Sequence, residues 1–229
     1  MKIKFLLKRK VSFVLLALVL YGCSAEDKIV FEARKHLSDI KTFTQANDVA
    51  YYVDYRNGER YEGIFIEDSK VLNSATEKER RVISSFCAVR LYSAIPDSIF
   101  HSIEMEVKVK SGVTSSIERF KISDIKNVIR NMETISKYVS DYNNSSTFKL
   151  LENFDEGYQK QHTEYFVTTM NNIKTMLPQI TGFEFLGYEV IDNQMELIFN
   201  FLFSGRIQQF KFTFERGVDS NRKILMIEG

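Results

Sequence analysis

The sequence predicts an α+β protein in which amphipathic helices pack on antiparallel sheets, and three patterns carry that expectation. Apolar and polar residues alternate with period two through residues 49–55, 103–110, 194–203 and 209–214, as in strands with one buried face. Apolar residues recur at helical spacing through 26–44, 82–93 and 125–139, as in helices with one buried stripe. The links at Asp192-Asn193 and Ser204-Gly205 are so short that the last strands must run antiparallel, as a meander.

Taken in order, the chain opens on Lys2, Lys4, Lys8, Arg9 and Lys10, followed by an apolar run over 11–20. A spanning helix needs roughly 20 apolar residues, so this run suits a cleaved signal peptide over 1–22 and not a permanent anchor. Leu20, Gly22 and Cys23 close it. They resemble the lipobox of bacterial lipoproteins, with leucine three positions before the cysteine and a small residue just before it. The resemblance implies recognition of Leu20 and Gly22 by signal peptidase II, acylation of Cys23 and attachment to a membrane through it. Each buried methylene contributes about 0.8 kcal/mol, so several acyl chains hold where one is marginal. The implied address is the cell envelope, at the outer membrane, facing the periplasm or the cell surface. Glu26-Asp27 resembles the surface-export tag of some Gram-negative lipoproteins, and equally suits the positive end of the next helix.

Removal of residues 1–22 takes five basic residues and no acids, leaving a formal charge of −4. That balance argues against a nucleic-acid partner, which needs a cationic face. With Cys23 acylated, Cys87 is the remaining thiol and no intramolecular disulfide can form. Its place between Phe86 and Ala88 reads as a small buried hydrophobe.

Within 26–44, Ile29, Ala33, Leu37 and Ile40 share a helical face. Val49, Tyr51, Val53 and Tyr55 then alternate, and Asn57-Gly58 supplies a two-residue turn that tolerates positive φ. A hairpin about that turn pairs Tyr55 with Arg60 and Asp54 with Tyr61. It gathers Tyr51, Tyr52, Tyr55, Arg56, Arg60 and Tyr61, the composition of a partner-binding surface. Strand preference for aromatics explains part of the same pattern.

Ser74 to Glu77 has capping-box spacing ahead of a helix with Val82, Phe86, Val89 and Ser93 on one face. Strands follow over 103–110 and around Ile117 and Phe120. Ser123 is placed to cap a helix striped by Ile125, Val128, Ile129, Met132, Ile135 and Val139. Asn143-Asn144-Ser145-Ser146 reads as a linker between an N-terminal α+β region, 23–143, and a C-terminal one, 147–229. In the latter, Phe148, Leu151 and Tyr158 suggest one helix and Phe166, Met170, Ile173 and Leu177 another. Strands over 183–191, 194–203, 206–215 and 222–228 complete it. This order, two helices and a four-stranded meander, resembles cystatin-like and nuclear-transport-factor-like α+β domains. Members of those groups include enzymes, carriers and interaction modules, so the resemblance implies a fold and no single function.

Metal, phosphate-loop and nucleophile motifs are missing from the sequence, so no catalytic residue, metal site or cofactor is expected. Asp54 beside Tyr52 and Arg56, or His162 beside Glu164, makes an acid/base pair only if folding brings a second group near. The preferred expectation is a lipid-anchored envelope lipoprotein that binds an envelope protein or a small ligand. The alternatives are an enzyme of unrecognised type with a pocket in the C-terminal half, and a structural subunit of an envelope complex. One consequence is testable directly: truncation after Phe203 strips the aromatic strand over 194–203 of its neighbour, and the product is expected to aggregate. A soluble monomer on size-exclusion chromatography would overturn that reading.

Overall fold

The computed structural model describes residues 25–95, 102–217 and 222–229. Leu20, Gly22, Cys23 and His101 lie outside the described residues, as do the side chains of Glu26, Asp27, Ile29 and Ala33. The element order is α1 (Ala25–Thr44), β1 (Asp48–Arg56), β2 (Glu59–Glu67), α2 (Lys70–Ser74), α3 (Glu77–Tyr92), β3 (Glu104–Ser111), β4 (Thr114–Lys121) and α4 (Ile122–Asn144). It continues through α5 (Thr147–Leu151), α6 (Glu156–Met176), β5 (Ile180–Ile191), β6 (Gln194–Phe203), β7 (Arg206–Glu215) and β8 (Met226–Glu228). The fold is α+β, with helices on two four-stranded sheets ordered β1-β2-β3-β4 and β5-β6-β7-β8.

The first hairpin forms in the expected register, Tyr55 opposite Arg60 and Asp54 opposite Tyr61. Asn57 at φ 54° and Gly58 at φ 82° carry the turn, matching the right-handed twist of the strands they join. The second sheet is the antiparallel meander that its short turns demand. One seam departs from the antiparallel expectation: β2 and β3 run parallel, Gly63 beside Glu106 and Ile64 beside Val107. The cause is the connection, since α2 and α3 carry the chain back across the sheet before β3 begins.

Helix α3 differs from its sequence reading in two ways. Its capping box is Thr76 with Glu79, two residues later than Ser74 with Glu77, because Ser74 ends α2. Its buried residues are Ser84, Ser85, Cys87, Ala88, Val89, Leu91 and Tyr92, more than one amphipathic stripe can hold. The helix contacts β2, β3 and β4 of one sheet and β5 of the other. Burial pushes the Cys87 thiol well above its usual range, as a structural cysteine requires.

In α4 the expected stripe holds at Ile125, Val128 and Ile135, but the deepest aromatic residues are Tyr138 and Tyr142. Tyr138 stands edge-on to Phe212 and Tyr142 to Phe203, so α4 covers the second sheet. The N-cap of α4 is Lys121, without a side-chain cap bond, because β4 runs straight into the helix and Ser123 falls inside it. The polar stretch at Asn143 is absorbed into the end of α4, and Ser146 caps α5. Phe148 is exposed, and Tyr158 belongs to α6. Met195, Leu197, Phe199, Phe201 and Phe203 of β6 are all buried, and a single cluster of buried side chains runs from Ile40 to Ile224 through both sheets.

The joint between α3 and β5 sits at a β-bulge between Phe185 and Gly187. Gly187 has φ 146°, and a Cβ there would stand 2.2 Å from the Val82 carbonyl oxygen. The Ser85 hydroxyl accepts the Tyr188 backbone N–H at 2.7 Å, satisfying a donor that the bulge frees from the ladder. Gly187→Ala is therefore expected to cost about 3 kcal/mol from overpacking and backbone strain together. Chemical denaturation midpoints for the variant and the parent check it.

Candidate functional site

The hairpin alternation divides the six Tyr/Arg residues between two faces of the first sheet. Tyr52, Arg56 and Tyr61 share the outer face, while Tyr51, Tyr55 and Arg60 point to the other side with Ile64 and Ile66. They do not form one patch. Each face instead centres on a buried glutamate that the sequence reading did not single out.

On the outer face, Tyr52, Gly63, Glu106 and Arg119 make one cross-strand row. Gly63 has no side chain, so the Glu106 carboxylate lies over it and is fully buried on a face that is otherwise half-exposed. One carboxylate oxygen accepts from the Tyr52 hydroxyl at 2.8 Å and from the Arg56 guanidinium. The other accepts from Arg119 Nε at 3.0 Å. Burial raises the Glu106 pKa, but bonds from Arg56, Tyr52 and Arg119 outweigh it and hold the carboxyl below its usual range.

The half-buried groups around that centre are ordered by it. Arg56 stacks over the Tyr61 ring at 3.8 Å and Lys108 over the Tyr52 ring at 4.0 Å, contacts worth about 0.5–1 kcal/mol each at such sites. Asp54 pairs with Arg56 at 3.1 Å and with Lys108 at 3.6 Å. Its carboxylate is thus shared between two cations. The Tyr61 hydroxyl donates to Glu59 at 2.7 Å. Burial first, then the bond to Glu106, pushes the Tyr52 hydroxyl well above its usual range.

On the inner face, Glu62 is fully buried and pairs with Arg60. Tyr51 packs on the core beside them, its hydroxyl raised by burial and by the Glu62 charge. Tyr55 is exposed beyond the helices. No local pattern could have identified Glu106, Arg119 or Glu62. Glu104, Glu106 and Lys108 read in sequence as the wet side of a strand, and only the parallel seam brings β3 beside Gly63.

A cleft of about 710 Å³ lies elsewhere, between the start of α3 and the second sheet. Phe43, Val71, Val82, Leu186 and Ile198 line it, and Glu189 on its wall pairs with Lys78 at 3.2 Å. His162 is apart from this cleft and lies against the Tyr158 ring. Among the described residues, no group of three His, Cys, Asp or Glu side chains could hold a metal ion. No described helix is long and apolar enough to cross a membrane.

Glu106 gives a pH prediction with a definite sign. Its folded pKa lies below the unfolded value of about 4.3, so its contribution to stability is complete above that pH and is lost as pH falls through the folded value. Glu106→Gln is expected to cost about 3 kcal/mol at pH 7, since it leaves Arg56 and Arg119 without their buried counter-charge. Urea midpoints of the two proteins should converge as the pH falls through the folded value, where the parent carboxyl takes up its proton. A gap independent of pH would show that the loss is packing alone.

No family model matches the sequence, and no curated protein matches it. Among solved structures it is similar to Bd1075 of Bdellovibrio bacteriovorus, at 13% identity and a TM-score of 0.32. That match covers 52% of this chain and 49% of the other, so the chain spans about half the length of the protein it matches. A likeness this slight carries no argument about function.

Proposed function

We propose that the protein is a lipid-anchored lipoprotein of the bacterial envelope, held through acylated Cys23, whose first sheet is a binding module. The observation that carries the binding reading is the outer face of that sheet. Tyr52, Arg56, Tyr61, Lys108 and Arg119 are presented there on strands, not on a mobile loop, and Glu106 holds three of them from beneath. A rigid array of aromatic and guanidinium groups loses little side-chain freedom when a partner docks, which favours tight capture per contact. Mixed charge on the same face suits a polar protein or small-ligand surface and disfavours nucleic acid. A role as a permanent subunit of an envelope complex uses the same surface and differs only in how long the partner stays.

A second reading, an enzyme acting in the cleft beside the second sheet, draws on Glu189 in an apolar wall. The ion pair of Glu189 with Lys78 already accounts for that carboxylate.

Two measurements test the proposal. Cys23→Ala is expected to abolish incorporation of labelled palmitate and to release the protein from the membrane fraction; unchanged fractionation would refute the anchor. Tyr61→Ala leaves every bond to Glu106 in place, so it is expected to keep the circular dichroism of the parent. Retention of partners from solubilised envelope should fall by about tenfold or more, the usual effect of losing aromatic anchors. Equal retention by variant and parent would remove the hairpin face from the function.

A further inference from the structure

A recess of about 210 Å³ opens where α3, β4, α4, β5 and the end of β7 converge. Its walls carry Arg81, Arg119, Lys121, Asp124, Tyr188 and Arg216, residues scattered along the chain that only the junction of the two sheets brings together. Two of the three carboxylates at this place are already engaged. Asp124 accepts from Nε and Nη2 of Arg216, both at 2.9 Å. Glu189 is held by Lys78 at 3.2 Å, and Glu104 stands opposite Lys121 across the β3–β4 pair. Arg119 gives its Nε to Glu106. Among the described residues, Arg81 holds no ion pair.

The second observation is Tyr188. Its residue is 4% exposed, its ring lies edge-on to Phe120 at 6.0 Å, and its backbone N–H goes to Ser85. The hydroxyl makes no hydrogen bond to any described residue, yet it lies within electrostatic reach of Asp124, Arg81 and Arg216, which all face the recess. Burial, and after it the Asp124 charge, pushes this hydroxyl well above its usual range, so it stays a proton donor at any physiological pH. That donor is therefore left available to a molecule in the recess. The start of α4 adds positive potential there, because its N-cap Lys121 makes no side-chain cap bond over a helix of 23 residues.

We infer that this recess binds a small oxyanion, of the phosphate or short carboxylate class, with the Arg81 guanidinium supplying the counter-charge and the Tyr188 hydroxyl a hydrogen bond. A planar guanidinium beside a neutral donor is the pairing that phosphate and carboxylate oxygens accept. The volume admits a charged head group, and is below the range of about 300–1,000 Å³ typical for a whole drug-sized ligand. A free metabolite and a phospholipid head group share this chemistry.

The test is calorimetric titration of the full chain in detergent, at ionic strength fixed with sodium chloride, with three probes: inorganic phosphate, succinate and glycerophosphoglycerol. Saturable binding of at least one is expected. Arg81→Gln should weaken it by about tenfold or more and Tyr188→Phe by about fivefold, the usual effects of losing a charged and a neutral hydrogen bond. Tyr188→Phe keeps the ring against Phe120 and so preserves the core. Tyr61→Ala should bind like the parent, which separates this site from the hairpin face. Preference for glycerophosphoglycerol assigns a lipid head group; preference for phosphate or succinate assigns a free anion. Absence of saturable binding of all three at about 10 mM overturns the inference, as does parental affinity in both recess variants.

Discussion

The structure depends on one helix being packed from two sides. Ser84, Cys87, Ala88 and Leu91 of α3 fall three and four residues apart and leave a buried stripe beside the first sheet. Val82, Ser85 and Phe86 meet Gly187, Tyr188 and Phe185 of β5. The small residues Ser84, Cys87 and Ala88 on one flank and Ser85 on the other let the helix approach both sheets closely, with Leu91 and Phe86 filling the space beside them. Gly187 contributes the other half of the fit by letting the β5 backbone close on the helix. Because α3 joins both sheets, the recess between Arg81 and Tyr188 and the cleft above Gly187 have their walls set by the same contact.

Which parts of this were legible in the sequence follows from the range of the forces involved. The Asn57-Gly58 turn dictates its register locally, so the hairpin could be paired residue by residue from sequence. The meander is equally local, with Phe199, Phe201 and Phe203 alternating between two tight turns. The face of α3 was not legible, because a helix buried on two sides has no single stripe, and Ser84 and Ser85 look like solvent positions until both sheets are in place. The cap at Thr76 was missed by two residues, because Ser74 offers the same chemistry and only the end of α2 disqualifies it. In the candidate site, Tyr52, Arg56 and Tyr61 were readable as a cluster. Their organiser was not, since Glu106 reaches them only through a parallel pairing that no local spacing encodes.

The two buried glutamates also say something about register. Glu62 and Glu106 sit one pairing step apart on adjacent strands and face opposite ways. A slip of one residue between β2 and β3 would turn Glu106 into the core and Val107 out of it, and would take Glu106 off the glycine that makes room for it. Buried ion pairs add little net stability over well-packed apolar residues. Here they penalise the wrong alignment far more than they reward the right one, which is how a polar group at a strand centre defines a unique sheet.

The parallel seam sets the order in which the chain can assemble. The β1–β2 and β3–β4 hairpins close short loops and can form independently of the rest of the chain. Pairing of β2 with β3 must wait until the whole of α2 and α3 has crossed and packed, and its loop-closure entropy is repaid only by the burial that α3 brings. Until then each hairpin shows an unpaired strand edge to its surroundings. The chain's own midsection is thus the chaperone of its first sheet, and slow delivery of α3 is the step at which misassembly competes with folding.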